Sequence, residues 1–251
     1  DYTTNMAKIE KFGTSAVPTL MDMLVETTNN YEISYLCEAL KQVPSASAIP
    51  SIRKQLTHSN WLVRSNCGSA LGHIHTTLKS TDADIQPVFQ VMTTDNNCTV
   101  RKNIALDIGA LQSEMVKQWS KQQLENTQVD LCSLTVGLYT LSKYPVEDSI
   151  GTYMTSLLGN TKAPVHMREA AGFALTHYHY ADALPTIRLI LQGTNPGGNI
   201  WMFTIRALGE VGISSDLDLL QQVIAQDPYN GEGVWAVEGK EAIQKIKLSG
   251  R

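Results

Sequence analysis

The feature that most constrains this chain is an internal repeat with a period near 34 residues. Short segments typical of the end of an amphipathic helix recur along the sequence, as in Ala70-Leu71-Gly72 and Ala207-Leu208-Gly209. Seven such segments end at residues 41, 72, 109, 142, 176, 209 and 244, so the steps between them are 31, 37, 33, 34, 33 and 35 residues. A period of this length, held along the whole chain, indicates a solenoid of stacked units.

Each unit is predicted to be a pair of helices. Four units open on a proline, at Pro18, Pro50, Pro87 and Pro185, and proline fits the first turn of a helix because its missing N–H would have no partner there. A short polar turn follows, and after it apolar residues recur at helical spacing. No stretch alternates with period two, so strands are not expected. One helix pair cannot bury its apolar face alone and must stack on its neighbours.

The predicted fold is therefore all-α, an α-α superhelix in the form of a right-handed solenoid of about seven helix-pair repeats. One domain over residues 1–251 is expected, with repeats at approximately 14–44, 45–80, 81–112, 113–145, 146–180, 181–213 and 214–247. Residues 1–13 are expected to add a partial helix, because the terminal repeats of a solenoid are usually atypical.

The second repeat carries Val63-Arg64, then Ala70-Leu71-Gly72 and Ile74. This pattern resembles a HEAT-type repeat and is most similar to the short bacterial HEAT-like repeats that also occur in phycobilin lyases. Arginine stands at the same offset in two further repeats, as Arg101 and Arg168. The resemblance implies the fold, but this fold hosts scaffolds, lyases, hydroxylases and DNA glycosylases and therefore does not select a function.

HEAT-like repeats often carry an aspartate in the turn before this arginine. Here Ser59, Asn96 and Ala163 occupy the position five residues before it. The resemblance therefore does not extend to a regular Asp–Arg ladder between repeats, with Asp95 as the one residue that could serve.

The four cysteines, Cys37, Cys67, Cys98 and Cys132, all lie in apolar helical segments. None belongs to a Cys-x-x-Cys pair, which disfavours a zinc site and thioredoxin-like chemistry. We interpret each as a small buried hydrophobe. Disulfides are not expected, because three of the four fall near the start or middle of second helices in different repeats, where close approach of the Cα atoms is not assured.

The candidate partner-binding residues lie on the second helices. Tryptophan and arginine are enriched at interface hot spots, so the predicted set on the inner, concave face is Trp61, Arg64, Arg101, Lys102, Arg168 and Trp201. A structural interpretation stays open beside this one. In it, the arginines donate hydrogen bonds to turn carbonyls and the tryptophans pack between repeats.

No catalytic residue, metal site or cofactor is predicted. Two histidine pairs, His73 with His75 and His177 with His179, are separated by one residue, which directs the two rings to different sides of a helix. No His-Glu dipeptide occurs, although metal-dependent hydroxylases of this fold use repeated His-Glu pairs. Asn97-Cys98-Thr99 matches a glycosylation sequon, but a three-residue match is a weak signal.

These features predict a non-enzymatic scaffold that binds a protein or peptide, acidic ones included, on the concave surface of its second helices. The alternative is a lyase-like or other small-molecule-handling enzyme, which needs a pocket with convergent polar groups. Nucleic-acid binding is disfavoured by the net charge of -4, from 20 basic and 24 acidic residues. No long apolar run predicts a membrane span. A soluble protein is expected, cytoplasmic or exported after removal of an N-terminal segment.

Overall fold

The computed structural model describes residue 9 and residues 11–126, 128–195, 197–229 and 232–250. Within these residues the chain contains fourteen α-helices and no strand, so the predicted all-α class of stacked helix pairs is confirmed. The first helices of the pairs are α1 (Val17–Glu26), α3 (Ile49–Lys54), α5 (Asp82–Thr94), α7 (Glu114–Glu125), α9 (Asp148–Gly159), α11 (Leu184–Gln192) and α13 (Leu217–Ala225). The second helices are α2 (Asn30–Gln42), α4 (Trp61–Thr77), α6 (Cys98–Ile108), α8 (Leu131–Leu141), α10 (Val165–Tyr178), α12 (Ile200–Val211) and α14 (Val234–Ser249).

One pair begins in each range predicted for a repeat. The partial helix expected over residues 1–13 falls mostly on residues 1–8 and 10, which lie outside the described part of the chain. The chain divides into two compact units, Asp1–Thr140 and Leu141–Arg251, called here the first and the second unit. A single domain over the whole chain stays a prediction.

The helix starts follow local chemistry. Asn29, Asn60 and Asn97 stand before the first three second helices, and each side-chain oxygen accepts a backbone N–H of the first turn, at 2.9, 2.8 and 2.9 Å. This satisfies a donor that has no partner inside the helix. In the sequon, Asn97 therefore acts as a helix cap.

Proline marks the first turn of three first helices, as predicted, but not of a fourth. Pro18, Pro50 and Pro185 lie in the first turns of α1, α3 and α11. Pro87 instead lies inside α5, which begins at Asp82. The reason is a cap that starts the helix earlier: the Asp84 carboxylate accepts the backbone N–H of Thr81 at 3.0 Å and its hydroxyl at 2.7 Å, as in one half of a capping box.

The second helices α2, α4 and α6 of the first unit, and α10, α12 and α14 of the second, each lie alongside the next over much of their length, whereas consecutive first helices meet over a shorter stretch. Small residues at the end of the repeat motif permit this approach. A Cβ atom on Gly72 of α4 would lie 3.1 Å from Asp107 Cβ of α6, and one on Gly209 of α12 would lie 2.9 Å from Ala242 Cα of α14. The second helices therefore set the spacing between repeats.

Both pairs of cysteines form disulfides, so the expectation that no disulfide forms was wrong. Cys37 of α2 is bonded to Cys67 of α4, with 4.9 Å between the Cα atoms. Cys98 of α6 is bonded to Cys132 of α8, with 5.6 Å between the Cα atoms. The partners are 30 and 34 residues apart, which is about one period, and neighbouring second helices bring residues at that separation face to face.

Candidate protein-binding surface

A nitrogen donor occupies the same position in four repeats, eight residues before the end of the repeat motif. In three of them its N–H donates to a backbone carbonyl in the last turn of the first helix of the same pair. Carbonyls there have no partner inside the helix. The donor–acceptor pairs are Arg101 Nε to Met92 at 2.9 Å, Arg168 Nε to Leu158 at 2.9 Å and Trp201 Nε1 to Ile190 at 3.3 Å.

The fourth residue at this position, Arg64, joins two repeats. Its guanidinium forks onto the carboxylate of Asp95, with Nε–Oδ2 at 2.6 Å and Nη2–Oδ1 at 3.0 Å, and Nη1 donates to the carbonyl of His58 at 2.8 Å. Burial alone would raise the pKa of Asp95, but hydrogen bonds from Arg64 and from the backbone N–H of Asn97 hold it below its ordinary value. Arg64 and Asp95 therefore form an Asp–Arg bridge between repeats, and Asp95 is the aspartate that the sequence suggested for it.

Burial changes the interpretation of three predicted binding residues. Arg101 is 7% exposed, Arg168 is 5% exposed and Trp201 is 1% exposed. The expectation that these side chains face a partner is therefore corrected, because their polar ends turn towards carbonyls of the first helix. Trp201 also packs edge-on against Trp235, with 5.0 Å between the ring centroids.

Trp61 and Lys102 remain at the surface. Trp61, the first residue of α4, is 45% exposed, and Lys102 on the neighbouring α6 is half-buried. Other second helices also begin with exposed apolar side chains, which the sequence reasoning missed. These are Tyr31 and Leu131 in the first unit and Val165 and Val234 in the second. The sequence signal that could have identified these exposed side chains is a large apolar residue in the first turn of a second helix. In the case of Trp61 it directly follows the capping residue Asn60.

Two grooves of the first unit adjoin the exposed side chains at the starts of its second helices. One, of about 580 Å³, lies between α1 and α2 and is lined mostly by apolar side chains, including Leu20, Met23 and Tyr31. The other, of about 340 Å³, runs between the turns of the first two helix pairs and includes Lys54 and His58. Tyr31 and the turn that precedes Trp61 therefore border concave surface.

A polar cluster connects three consecutive second helices of the first unit. Lys41 Nζ of α2 donates to Ser69 Oγ of α4 at 2.8 Å and to Asp107 Oδ2 of α6 at 2.9 Å, and Ser69 Oγ donates to the same oxygen at 2.5 Å. His73 Nδ1 lies 3.9 Å from Asp107 Oδ1. Burial raises the pKa of the nearby Glu38 carboxyl, and the charge of Lys41 opposes that shift.

This cluster brings together a hydroxyl, an amine and carboxylates, but Ser69 lies in the middle of α4. Backbone N–H groups there are engaged in the helix, so they do not form the pair of donors that stabilises an oxyanion in acyl transfer. The cluster can bridge repeats and bind polar groups. Sequence reasoning missed it because it depends on the register of three helices.

Among the described residues, no three His, Cys, Asp or Glu side chains converge as in a metal site. In the same part of the chain, every helix is too short or too polar to cross a membrane.

Comparison with known proteins supports the fold and matches part of the chain to a repeat family. Residues 17–109 match the family model of HEAT repeats. No curated protein sequence matches the chain. Among solved structures, the complex of CpcE and CpcF of phycocyanin lyase from Nostoc sp. PCC7120 is 14% identical, with a TM-score of 0.50 and coverage of 98% of this chain and 90% of that chain.

Human deoxyhypusine hydroxylase in complex with glycerol is 17% identical, with a TM-score of 0.45 and coverage of 97% of this chain and 88% of that chain. An engineered protein is 16% identical, with a TM-score of 0.34 and coverage of 97% and 98%.

The phycocyanin lyase structure carries the name of an enzyme. This corrects the prediction that the chain is not an enzyme, because the fold on which that prediction rested occurs in a lyase as well. At 14% identity, the likeness to the lyase complex shows the fold alone. The predicted resemblance to HEAT-type repeats is confirmed by the match of residues 17–109 to the family model of HEAT repeats.

Proposed function

We propose that this chain is a HEAT-repeat scaffold that binds a protein or peptide partner across the second helices of its first unit, with Trp61 at the centre of the contact. The observation that carries the proposal is the exposure of 45% of this tryptophan at the start of α4. Tryptophan is the residue type most enriched at interface hot spots, where it fills a pocket on the partner.

The surroundings of Trp61 support an extended partner. Tyr31 on α2 is 78% exposed and borders the groove between α1 and α2. On the other side, the half-buried Lys102 of α6 supplies a cation that suits an acidic segment. The similar phycocyanin lyase structure is a complex of two proteins, CpcE and CpcF, which is consistent with a protein partner for this fold.

The test is capture of a partner by Trp61→Ala and by a matched control. Leu189→Ala is the control, because Leu189 is 72% exposed but lies on the first helix α11 of the second unit. Trp61→Ala should reduce the amount of a partner captured from the source organism about tenfold or more, as expected for a hot spot, while the melting temperature stays near that of the parent. Equal capture by both variants, or a large loss of stability in Trp61→Ala, would contradict the proposal.

The polar cluster of Lys41, Ser69 and Asp107 favours a second candidate, the handling of a small polar molecule. It has convergent polar groups and, in Glu38, an acid whose pKa is raised by burial, which are features of ligand sites. Native mass spectrometry of the chain isolated from its source tests this candidate. A bound molecule that is lost in Asp107→Asn but retained in Asp182→Asn, an exposed control, would support it; no bound molecule in the parent would count against it.

The two disulfides favour an oxidising compartment, since thiols are kept reduced in the cytoplasm of most organisms. Alkylation of intact cells before lysis checks this. All four cysteines should escape the label, and labelling of all four would place the chain in a reducing compartment.

A further inference from the structure

The two disulfides differ in their access to solvent. Cys37 and Cys67 are 0% exposed and belong to the apolar core. They lie in the middle of their helices, as the eighth residue of α2 and the seventh residue of α4. Thiol–disulfide exchange needs an attacking thiolate to reach a sulfur atom. Core packing denies that approach to the Cys37–Cys67 bond.

Cys98 and Cys132 lie at helix starts instead. Cys98 is the first residue of α6 and Cys132 is the second residue of α8, and both side chains are partly exposed. Leu131, next to Cys132, is 39% exposed, so this edge of the first unit is open to solvent. A thiolate released at a helix start is stabilised by the positive end of the helix dipole. Access and leaving-group stability therefore both favour exchange at this bond.

The surrounding charges distinguish the two sulfur atoms. The Asp130 carboxylate caps α8, where it accepts the backbone N–H of Ser133 at 3.0 Å and the Ser133 hydroxyl at 2.5 Å. Its negative charge disfavours a thiolate on Cys132. Cys98 follows a neutral cap, Asn97. The Asp95 carboxylate near it is paired with Arg64 at 2.6 and 3.0 Å, whereas Asp130 meets Arg101 only at 3.9 Å. Cys98 is therefore the better leaving group, and Cys132 is the sulfur that is attacked.

The contact between α6 and α8 does not depend on the disulfide alone. Arg101 Nη2 of α6 donates to Ser133 Oγ of α8 at 2.7 Å, and Arg101 Nη1 lies 3.9 Å from Asp130 Oδ1. These contacts are available in the reduced protein as well. Opening of the bond therefore leaves these polar contacts between the two helices in place.

We propose that Cys98–Cys132 is a site of thiol–disulfide exchange that takes a dithiol reductant as its co-reactant, while Cys37–Cys67 is an inert structural bond. The reductant thiolate forms a bond with Cys132 Sγ, and the Cys98 sulfur leaves with the electron pair as a thiolate. The second thiol of the reductant, after loss of its proton, attacks the reductant sulfur of this mixed disulfide and releases the Cys132 thiolate. The protein disulfide gains two electrons, and the dithiol becomes a cyclic disulfide.

The experiment is reduction of the folded parent protein by dithiothreitol, with alkylation at intervals and mass spectrometry of the cysteine peptides. Cys98 and Cys132 should become labelled about tenfold or more faster than Cys37 and Cys67, because access to sulfur controls the rate. Equal rates for the two pairs, or faster labelling of Cys37 and Cys67, would overturn the proposal. No variant is needed, so a folding defect cannot obscure the result.

A second measurement tests the direction of attack. Short exposure to 2-mercaptoethanol, followed by iodoacetamide, should leave the mixed disulfide on Cys132 and the alkyl group on Cys98. The opposite distribution would overturn the assignment of Cys98 as the leaving group. The double variant Cys37→Ala/Cys67→Ala, if it folds, should show the same distribution.

Discussion

The first unit adds covalent bonds to the polar contacts that join consecutive second helices in both units. The first unit uses disulfides between partners 30 and 34 residues apart. The second unit has no cysteine and uses ion pairs at similar separations. There the guanidinium of Arg206 on α12 donates to both carboxylate oxygens of Glu238 on α14, which is 32 residues later in the chain. Lys245 Nζ of α14 donates to Glu210 Oε1 of α12 at 2.5 Å, across a separation of 35 residues. The repeat thus brings residues one period apart into contact, and their side chains decide the kind of bond.

Because of this difference, we expect the two units to respond differently to reductant and to salt. A disulfide does not depend on ionic strength, but it is lost in the presence of an accessible reductant. An ion pair near the surface weakens as salt is added. The free energy of opening of individual helices can be measured by hydrogen exchange and mass spectrometry, and this measurement separates the two units.

The largest expected effect comes from loss of the buried disulfide. Cys37→Ala/Cys67→Ala should lower the free energy of opening of α2 and α4 by about 3.5 kcal/mol, because the bond closes a loop of 30 residues in the unfolded chain. Helix α12 should be unchanged. A loss below about 1 kcal/mol in α2 and α4, on the same scale, would show that the bond does not stabilise the first unit.

A smaller effect is expected for the ion pair of the second unit. Arg206→Met leaves Glu238, which is 8% exposed, without its partner, and should cost about 2 kcal/mol in α12 and α14. Lys245→Met is the control, because its pair with Glu210 is more exposed, with 49% of the Lys245 side chain accessible, and should cost about 0.5 kcal/mol. Equal losses for the two variants would mean that burial of Glu238 does not matter.

Equivalent glycines compare the helix spacing of the two units. A Cβ on Gly209 would meet Ala242 Cα at 2.9 Å, whereas a Cβ on Gly72 would meet Asp107 Cβ at 3.1 Å and the backbone N of Ile108 at 3.3 Å. Overpacking against backbone should exceed the gain in helix propensity, so Gly209→Ala should destabilise the second unit by about 1 kcal/mol. Gly72→Ala should destabilise the first unit by less, because its contacts with α6 are longer. A larger loss for Gly72→Ala would reverse this comparison.

The smallest expected effect is a pH dependence in the first unit. His75 is 2% exposed and contacts Ser80 Oγ through Nδ1 at 2.9 Å. Burial lowers its pKa below the ordinary value of 6.5, and nearby Arg53 lowers it further. The unfolded chain therefore binds the proton more tightly, so the contribution to stability is complete above pH 6.5 and falls as the pH drops below it.

At pH 6 the loss from His75 is bounded at about 0.8 kcal/mol by protonation of the unfolded chain. Hydrogen exchange of α4 at pH 8 and pH 6, after correction for the intrinsic exchange rate, gives this difference. His75→Gln should abolish it, and an unchanged pH dependence in that variant would assign the effect to another group.

Much of the fold could be predicted from the sequence because its signals are local. The period, the prolines at the starts of α1, α3 and α11, and the small residues Gly72 and Gly209 all act within one helix or between neighbours. Pro87 misled because the Thr81–Asp84 cap sets the start of α5. Local chemistry can therefore move a boundary without changing the architecture.

The candidate site was harder to predict because it depends on the direction of long side chains. Arg101 and Trp61 both belong to second helices, yet Arg101 reaches a carbonyl of its own first helix while Trp61 remains 45% exposed. The pairing of the cysteines likewise required knowledge that neighbouring second helices lie side by side. The residue types identified candidate binding residues, but only the folded structure shows which of their side chains are buried and which are exposed.

The most direct test of the contact between residues one period apart is the cysteine connectivity of the protein isolated under alkylating conditions. Proteolysis without reduction, followed by mass spectrometry, should yield the Cys37 peptide linked to the Cys67 peptide and the Cys98 peptide linked to the Cys132 peptide. The intact mass should be about 4 Da below that of the reduced chain, since each bond removes two hydrogens. Four alkylated thiols, or a link between Cys37 and either Cys98 or Cys132, would contradict this arrangement of the second helices.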